Sequence, residues 1–394
     1  MNILKIIGRM QPLFQKDLLK FEEDINHVVR NNRFLVIGGA GSIGQAVTKQ
    51  LFARSAGLLH VVDLSENYLV ELVRDIRSEL GYITEKFDTF AIDCGAPYFK
   101  DFLAAGKYDY VLNLSAMKHV RSENSAFSML RMLETNVLNP ISNYEAAVDL
   151  GVKKYFCVST DKAANPANFM GATKRAMEIA LMRIDSEVAV SGARFANVAF
   201  SNGSLLQGFE NRLAKQQPLS TPSDIERFFV TPVESGLICL FSAILGERNE
   251  ILFPYNDREI KLHTFLEIAK SYLKFRGLTG VECNSEQEAR DFIKNENLLK
   301  YWPINVFESD TVGEKPFEEF FTDDETLIYH KYLDLASVKY NSKVSDEDIL
   351  FLKEKINRIN PAQPYARENL LEIVHEFVPT FSYVKADKFL NARM

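Results

Sequence analysis

Three glycines recur at three-residue spacing in VIGGAGSIGQAV: Gly38, Gly41 and Gly44. They follow an apolar run and open a stretch of helical periodicity. Strand, tight turn and helix in that order make an anion site. Glycine adopts φ > 0 where the chain reverses and lets backbone approach a diphosphate, while the helix start offers free N–H groups and the positive dipole end. Ser42 and Ile43 lie inside the turn and are expected to share the contact. Asp63 ends the next apolar run, 19 residues beyond Gly44. A carboxylate there can accept from an adenosine ribose 2′-OH and would repel a 2′-phosphate. Leu64, Ser65 and Glu66 supply no cation to hold such a phosphate, so NAD is favoured over NADP. Asp93, ending the third run, is placed to meet the adenine edge. A second cluster, Thr160, Asp161 and Lys162, follows the run KYFCVS, with Met170 and Lys174 at i, i+4 in the helical stretch after it. A vicinal carboxylate and amine at a strand's carboxyl end can move protons at a bound ligand. The competing reading is a surface ion pair.

These residues need elements to hold them. FLVIG (34–38), LHVVD (59–63), FDTFAID (87–93), YDYVLNLS (108–115) and KYFCVST (154–160) read as buried strands, and 43–54, 66–80 and 126–149 as helices. Alternating strands and helices with near-continuous apolar strands imply an α/β fold, a doubly wound parallel sheet covered on both faces. Residues 33–200 form this domain, with 228–265 expected to pack back on it. Residues 201–394 form a smaller C-terminal α/β substrate-binding lobe and extension, loop-rich over 201–232 and helical over 233–246. The acidic run Glu318, Glu319, Asp323, Asp324, Glu325 reads as solvated surface. Residues 1–32 carry an amphipathic helix with Phe14, Leu18, Phe21, Ile25 and Val28 on one face. It should pack on the main domain or a partner subunit. Asp17, Glu22, Glu23 and Asp24 on the polar side disfavour a membrane surface.

Composition narrows the function classes. The 394 residues are 46% hydrophobic and 25% charged with net charge −7, and the pI is near 5.6. That balance argues against nucleic-acid partners while leaving room for a local basic pocket. Four dispersed cysteines and six dispersed histidines give no disulfide framework and no metal cluster. No stretch reaches the roughly 18 apolar residues of a membrane span, and the N-terminus does not read as a signal peptide. The expected location is cytoplasmic.

The glycine spacing, Asp63, NLSAMKHV (113–120), VSTDKAANPANFMGATKR (158–175) and RFANVAFSNGS (194–204) resemble the extended short-chain dehydrogenases, a Rossmann family. Within it they are most similar to nucleotide-sugar 4,6-dehydratases of bacterial surface-glycan biosynthesis, which act on UDP-N-acetylglucosamine. The stretch 282–320 and the N-terminal helix resemble soluble members that begin legionaminic-type sugar pathways. The resemblance implies a hydro-lyase that oxidises C4, eliminates water across C5 and C6 and returns the hydride to C6.

It also implies roles. Thr160 orients the sugar, Asp161 is the acid at C6, and Lys162 is the base at C5, with the C4 role open to it as well. Most relatives place a tyrosine in YxxxK. Here the motif reads Met170-Gly-Ala-Thr-Lys174, and a thioether takes no proton, so the C4 base lies elsewhere. Met at this position implies retention at C5. Lys174 holds the nicotinamide ribose, and Ser115 joins the cofactor contacts. Lys118, Arg194, Asn197, Ser204 and Arg227 are the candidates for the UDP-sugar, each arginine having a surface-charge alternative. The helices at 126–149 and 168–184 resemble those that pair subunits, implying a homo-dimer or larger. A 4-epimerase, a reductase and a non-catalytic NAD sensor are the competing functions.

Overall fold

The structure is a computed structural model that describes residues 1–195, 197–255, 262–295, 300–309, 318–329 and 331–383. Apolar side chains fill both parities of the first strand: Phe34 and Val36 enter one core, Leu35 and Ile37 the other. A strand buried on both faces belongs inside a layered sheet. Strand β1 (Arg33–Ile37) pairs in parallel with β2 (Leu58–Asp63) and with β4 (Tyr110–Asn113). Beyond β2 lies β3 (Phe87–Ala91); beyond β4 lie β5 (Lys154–Val158), β6 (Ala189–Ala193) and β7 (Glu250–Pro254), all parallel. Two antiparallel strands finish that edge, β8 (Thr326–Ile328) outermost and β9 (Leu335–Lys339) against β7. The nine-stranded order is β8-β9-β7-β6-β5-β4-β1-β2-β3. It reverses between β1 and β4, so ligands belong above the carboxyl ends of those strands. The expected doubly wound α/β fold is present.

One face is covered by the helices Gln15–Asn31, Ser42–Ala53, Glu66–Leu80 and Pro232–Leu245. Ile25 and Val29 bury the N-terminal helix against this core. Asp17, expected on its polar side, is instead fully buried and accepts from Leu333 N and Asp334 N at 2.7 and 2.8 Å. The other face carries Ala126–Leu133, a π-helical turn Glu134–Leu138, Asn139–Asp149 and Phe169–Leu181. The C-terminal helices Asp346–Asn357 and Ala366–Phe377 join the same core through Ile349, Leu352, Leu370 and Val374. Residues 331–383 therefore sit with the nucleotide-binding half, not with the lobe to which a boundary at 201 assigns them. Ala366–Phe377 packs on Phe169–Leu181, and all 13 residues of that helix are buried within the single chain.

The lobe has its own core of Leu206, Phe209, Leu219, Tyr272, Trp302 and Ile304. Its parallel sheet joins Thr279–Cys283, Tyr301–Phe307 and Leu219–Pro222. The stretch 201–232, read as loop-rich, includes the helix Leu205–Ala214. Residues near the N-terminus strap lobe to sheet, with Ile6 and Ile7 in the lobe core, Leu13 and Phe14 in the main core, and Arg9 paired with Glu234 between them. Among the described residues no helix is long and apolar enough to cross a membrane.

Candidate active site

The glycine loop is tight for two different reasons. Gly38 has φ +72°, and a Cβ there would lie 2.7 Å from Ser115 N, while one on Gly44 would lie 2.2 Å from Gly38 O. Both glycines are demanded by the loop's own packing. Gly41 is not: its Cβ would meet only Gly38 O, at 3.4 Å. It is the N-cap of Ser42–Ala53 and makes no side-chain cap bond. The protein thus leaves open the position where a phosphate would press against the helix start, which fits a dinucleotide. Asp63 Oδ2 accepts from Ala40 N and Oδ1 from Ser65 N, both at 3.0 Å, so this carboxylate fixes the loop and keeps lone pairs for a ribose. Asp93 Oδ1 accepts from Gly95 N at 2.8 Å and stands 3.7 Å from Arg131. Ser42 Oγ accepts from Asn202 N at 2.7 Å, tying the cradle to the loop before the lobe helix.

At the carboxyl end of β5, Thr160 Oγ1 donates to Asp161 Oδ1 at 2.7 Å. Lys162 Nζ lies 3.3 Å from both Asp161 oxygens. Asp161 is 6% exposed, whereas a third of the Lys162 side chain is open, an arrangement unlike a solvated surface pair. Gly171 brings the next helix onto this turn: a Cβ there would lie 2.4 Å from Lys162 O. Asn168 caps that helix through Gly171 N at 2.8 Å. Met170 is 4% exposed. Lys174 is buried, and desolvation pushes its amine down to about 8, against the pull of Cys157 and Glu178; its nearest bond is to Met177 Sδ at 3.4 Å.

The substrate-binding candidates separate. Lys118 Nζ lies 3.4 Å from Ser201 Oγ, and desolvation by the surrounding walls lowers its pKa. Arg227 is buried, and its Nη1 donates to Glu226 O at 2.8 Å. Asn197 Nδ2 donates to Glu318 Oε1 at 3.3 Å. Ser204 caps the helix Leu205–Ala214 by accepting from Gln207 N at 3.2 Å. Arg194 is a correction. It has no exposed surface and cannot face a diphosphate, because its guanidinium is committed to Glu178 (2.6 and 2.8 Å) and Glu325 (2.7 Å twice). Arg175 bonds the same two carboxylates at 3.0 and 2.6 Å. Burial alone would raise Glu178, but the two guanidiniums hold it near 2. Ser159 Oγ donates to Glu178 Oε1 at 2.6 Å, so this neutral quartet anchors the residue before Thr160. The acidic run is corrected with it, since the Glu325 side chain is fully buried.

Three residues were not anticipated. Asn136, fully buried on the π-helical turn, bonds both Met117 N and Met117 O at 2.9 Å and donates to Thr173 Oγ1 at 2.9 Å. It locks the Ser115–Lys118 loop to the Met170 helix. A lone amide at a core position of an apolar helix was the available signal. Glu123 Oε1 accepts from Met170 N at 3.0 Å, and burial raises its pKa. Glu318 stands beside Asn197 and Phe228.

Among curated proteins, one described as the uncharacterized membrane protein MJ1061, from Methanocaldococcus jannaschii, is 32% identical over 254 residues, 62% of this chain and 73% of that one. The Staphylococcus aureus capsular polysaccharide biosynthesis protein CapD is 23% identical over 355 residues, 89% of this chain; the chain spans about half of CapD, 54%. A UDP-glucose 4-epimerase of Rickettsia felis is 28% identical over 309 residues, 72% of this chain and 86% of that one. Two solved structures share the fold. Pen from Bacillus thuringiensis superposes with TM-score 0.63 at 20% identity, over 80% of this chain and 89% of that one. DesIV of Streptomyces venezuelae, a dTDP-glucose 4,6-dehydratase with NAD and TYD bound, gives 0.56 at 18% identity over 83% and 97%. Residues 34–338 match the sequence family described as polysaccharide biosynthesis protein, a span that includes every site residue named above, and the chain belongs to that family.

Proposed function

We propose that the chain is an NAD-dependent nucleotide-sugar 4,6-dehydratase that converts UDP-N-acetylglucosamine to its 4-keto-6-deoxy derivative with retention at C5, for surface-glycan or legionaminic-type sugar synthesis. The observation that carries this reading is the Thr160–Asp161–Lys162 cluster, with its carboxylate buried and its amine partly open, at the start of the Met170 helix. A chain without the tyrosine hydroxyl still holds an acid and an amine in contact, and water loss needs both. Bound NAD would supply the hydride acceptor and donor. Gly38, Gly41, Ser42, Ile43, Gly44, Asp63, Asp93, Ser115 and Lys174 would hold it, and a buried cationic Lys174 suits a ribose hydroxyl.

In this reading Thr160 orients the sugar toward Asp161. Lys162 accepts the C4 hydroxyl proton and then the C5 proton, which becomes acidic once C4 is a ketone. Asp161 donates to the leaving C6 oxygen. Lys118, Asn197 and Arg227 are the candidates for the diphosphate side. The family membership, the CapD relationship and the dehydratase DesIV among fold neighbours support the class of substrate. The Rickettsia relative favours a second reading, a 4-epimerase, which has no use for an acid at C6.

Purified protein given UDP-N-acetylglucosamine and no added cofactor tests the choice. A dehydratase with resident NAD releases the 4-keto-6-deoxy nucleotide with no net change at 340 nm, whereas a product that keeps its water and is inverted at C4 indicates a 4-epimerase and contradicts the proposal.

A further inference from the structure

The stretch 226–230 straddles the two halves of the molecule. Phe228 and Val230 are buried in the core that covers the sheet, while Phe229 sits in the lobe core, its ring 5.7 Å from that of Phe265. Arg227 pairs with His263, and Phe229–Val230 with Asn197–Val198. Arg227 and Asn197, two candidates for the diphosphate side, therefore take their places from this stretch. The N-terminal strap meets it twice. Gly8, at φ +72°, runs so close to His263 that a Cβ there would lie 2.6 Å from Nε2. Arg9 Nη2 donates to Phe229 O at 3.1 Å. The same guanidinium forks onto Glu234, Nη1 to Oε1 at 2.8 Å and Nη2 to Oε2 at 2.5 Å, and Leu13 N donates to Oε1 at 2.7 Å. Glu234 belongs to the nucleotide-binding half. It closes the capping box of Pro232–Leu245 with Thr231, and that helix lies on the cradle helix Ser42–Ala53, where a Cβ on Gly236 would come within 2.8 Å of Ala46.

We propose that Arg9 is a positioning residue for the nucleotide-sugar site: by joining Phe229 O to Glu234 it fixes the stretch that carries Arg227, and the Asn197 strand paired with it, against the nucleotide-binding half. The proposal rests on the nucleotide-sugar part of the reading above and is the same for a dehydratase or an epimerase. Arg9 bonds a carboxylate and a backbone carbonyl, so it acts on the diphosphate through Arg227 and Asn197. The planar guanidinium suits this task. It makes two parallel bonds to one carboxylate and keeps an N–H for the carbonyl, which a single ammonium does not span.

The two ligands should feel the strap differently. The cradle glycines belong to the turn after β1 and are held by that loop's own contacts, Gly38 against Ser115 and Gly44 against Gly38. None of those contacts involves Arg9. Arg227 and Asn197 lie at the seam between lobe and sheet, where a small shift of the backbone moves a cation and an amide away from the phosphates together. Misplacement on the scale of 1 Å is worth up to about a hundredfold. A purely structural Arg9–Glu234 pair would instead lower the folded fraction and leave the folded molecules with unchanged affinity for both ligands.

The test is calorimetric titration of UDP and of NAD, with Tm and with KM and kcat for UDP-N-acetylglucosamine, on wild type, Arg9→Ala, Arg9→Lys and the double variant Arg9→Met with Glu234→Gln. Arg9→Ala should weaken UDP at least about tenfold and raise KM in step, with kcat within about threefold and the NAD Kd within about twofold of wild type. It also strips the buried Glu234 of its cation and lowers Tm. The double variant removes both charges and should regain most of that Tm while UDP binding stays weak. Arg9→Lys keeps the charge without the fork and should bind UDP between Arg9→Ala and wild type. An Arg9→Ala protein with a UDP Kd within about twofold of wild type, UDP and NAD weakening by the same factor, or a double variant whose UDP affinity recovers with its Tm overturns the positioning role. A wild type that binds NAD and not UDP overturns the nucleotide-sugar reading and the strap's role with it.

Discussion

Glu325 offers a sharp perturbation because its whole interaction set lies inside the protein. Its carboxylate accepts from Arg194 Nη1 and Nη2 at 2.7 Å, from Arg175 Nη1 at 2.6 Å and from Thr322 N at 3.1 Å. Arg194 and Glu178 are fully buried, and Arg175 nearly so. Two guanidiniums face two carboxylates. Glu325→Ala leaves two cations on one anion, an uncompensated buried charge, and breaking a buried pair from one side costs about 3–5 kcal/mol. At about 2.1 cal/mol/K of unfolding entropy per residue, a chain of 394 residues loses about 1.2 °C per kcal/mol, so the expected fall in Tm is about 4–6 °C. Thermal unfolding followed by calorimetry measures it. Glu319→Ala, which removes a carboxylate bonded at an exposed site, should stay within about 0.5 kcal/mol of wild type. Adding Arg175→Ala to Glu325→Ala removes the excess cation and should cost less than the two single changes summed. A Glu325→Ala protein that melts within about 1 °C of wild type would refute the buried quartet, and with it the anchoring of the 318–325 segment.

The two kinds of glycine should part company: Gly44→Ala places a Cβ 2.2 Å from Gly38 O and should destabilise by about 1–3 kcal/mol, while Gly41→Ala should leave Tm unchanged and weaken NAD binding at least about tenfold by calorimetric titration. Asp161→Asn and Lys162→Met should each abolish water loss, read by mass spectrometry of the product, with UDP binding retained; full activity in either contradicts the assigned roles. Burial pushes the Lys154 amine down to about 7, below its unfolded value of about 10.4, so the unfolded chain binds the extra proton between these limits and stability rises with pH across that window. Lys154→Met should flatten the rise, its Tm advantage over wild type being largest at or below pH 7 and shrinking toward pH 10; a constant difference would contradict a neutral buried amine.

Local signals made the nucleotide-binding half legible. Strand, glycine turn and helix follow one another within a few residues, and the apolar runs mark β1 to β5 with boundaries shifted by a residue or two. The Thr160–Lys162 cluster was legible for the same reason, since a strand end and a helix start lie close in sequence. What escaped depends on partners far along the chain. Glu325 reads as one more acid in a solvated run until Arg194, 131 residues earlier, is folded against it. Arg194 reads as a ligand cation for the same reason reversed. Asp17 turns inward only because Leu333 and Asp334 present amides to it. The helices after residue 345 have ordinary amphipathic patterns, and nothing in those patterns names the Met170 helix as the surface that Ala366–Phe377 covers.

The most direct test of the central claim is to incubate the protein with UDP-N-acetylglucosamine in D₂O and follow the nucleotide sugar by mass spectrometry and proton NMR. Water loss with a 4-keto-6-deoxy product that carries solvent deuterium at C5 and keeps the D-xylo configuration is the expected result. A product in which water has not been lost and only C4 is inverted would mean a 4-epimerase and contradict the account, and an L-arabino product would refute retention at C5.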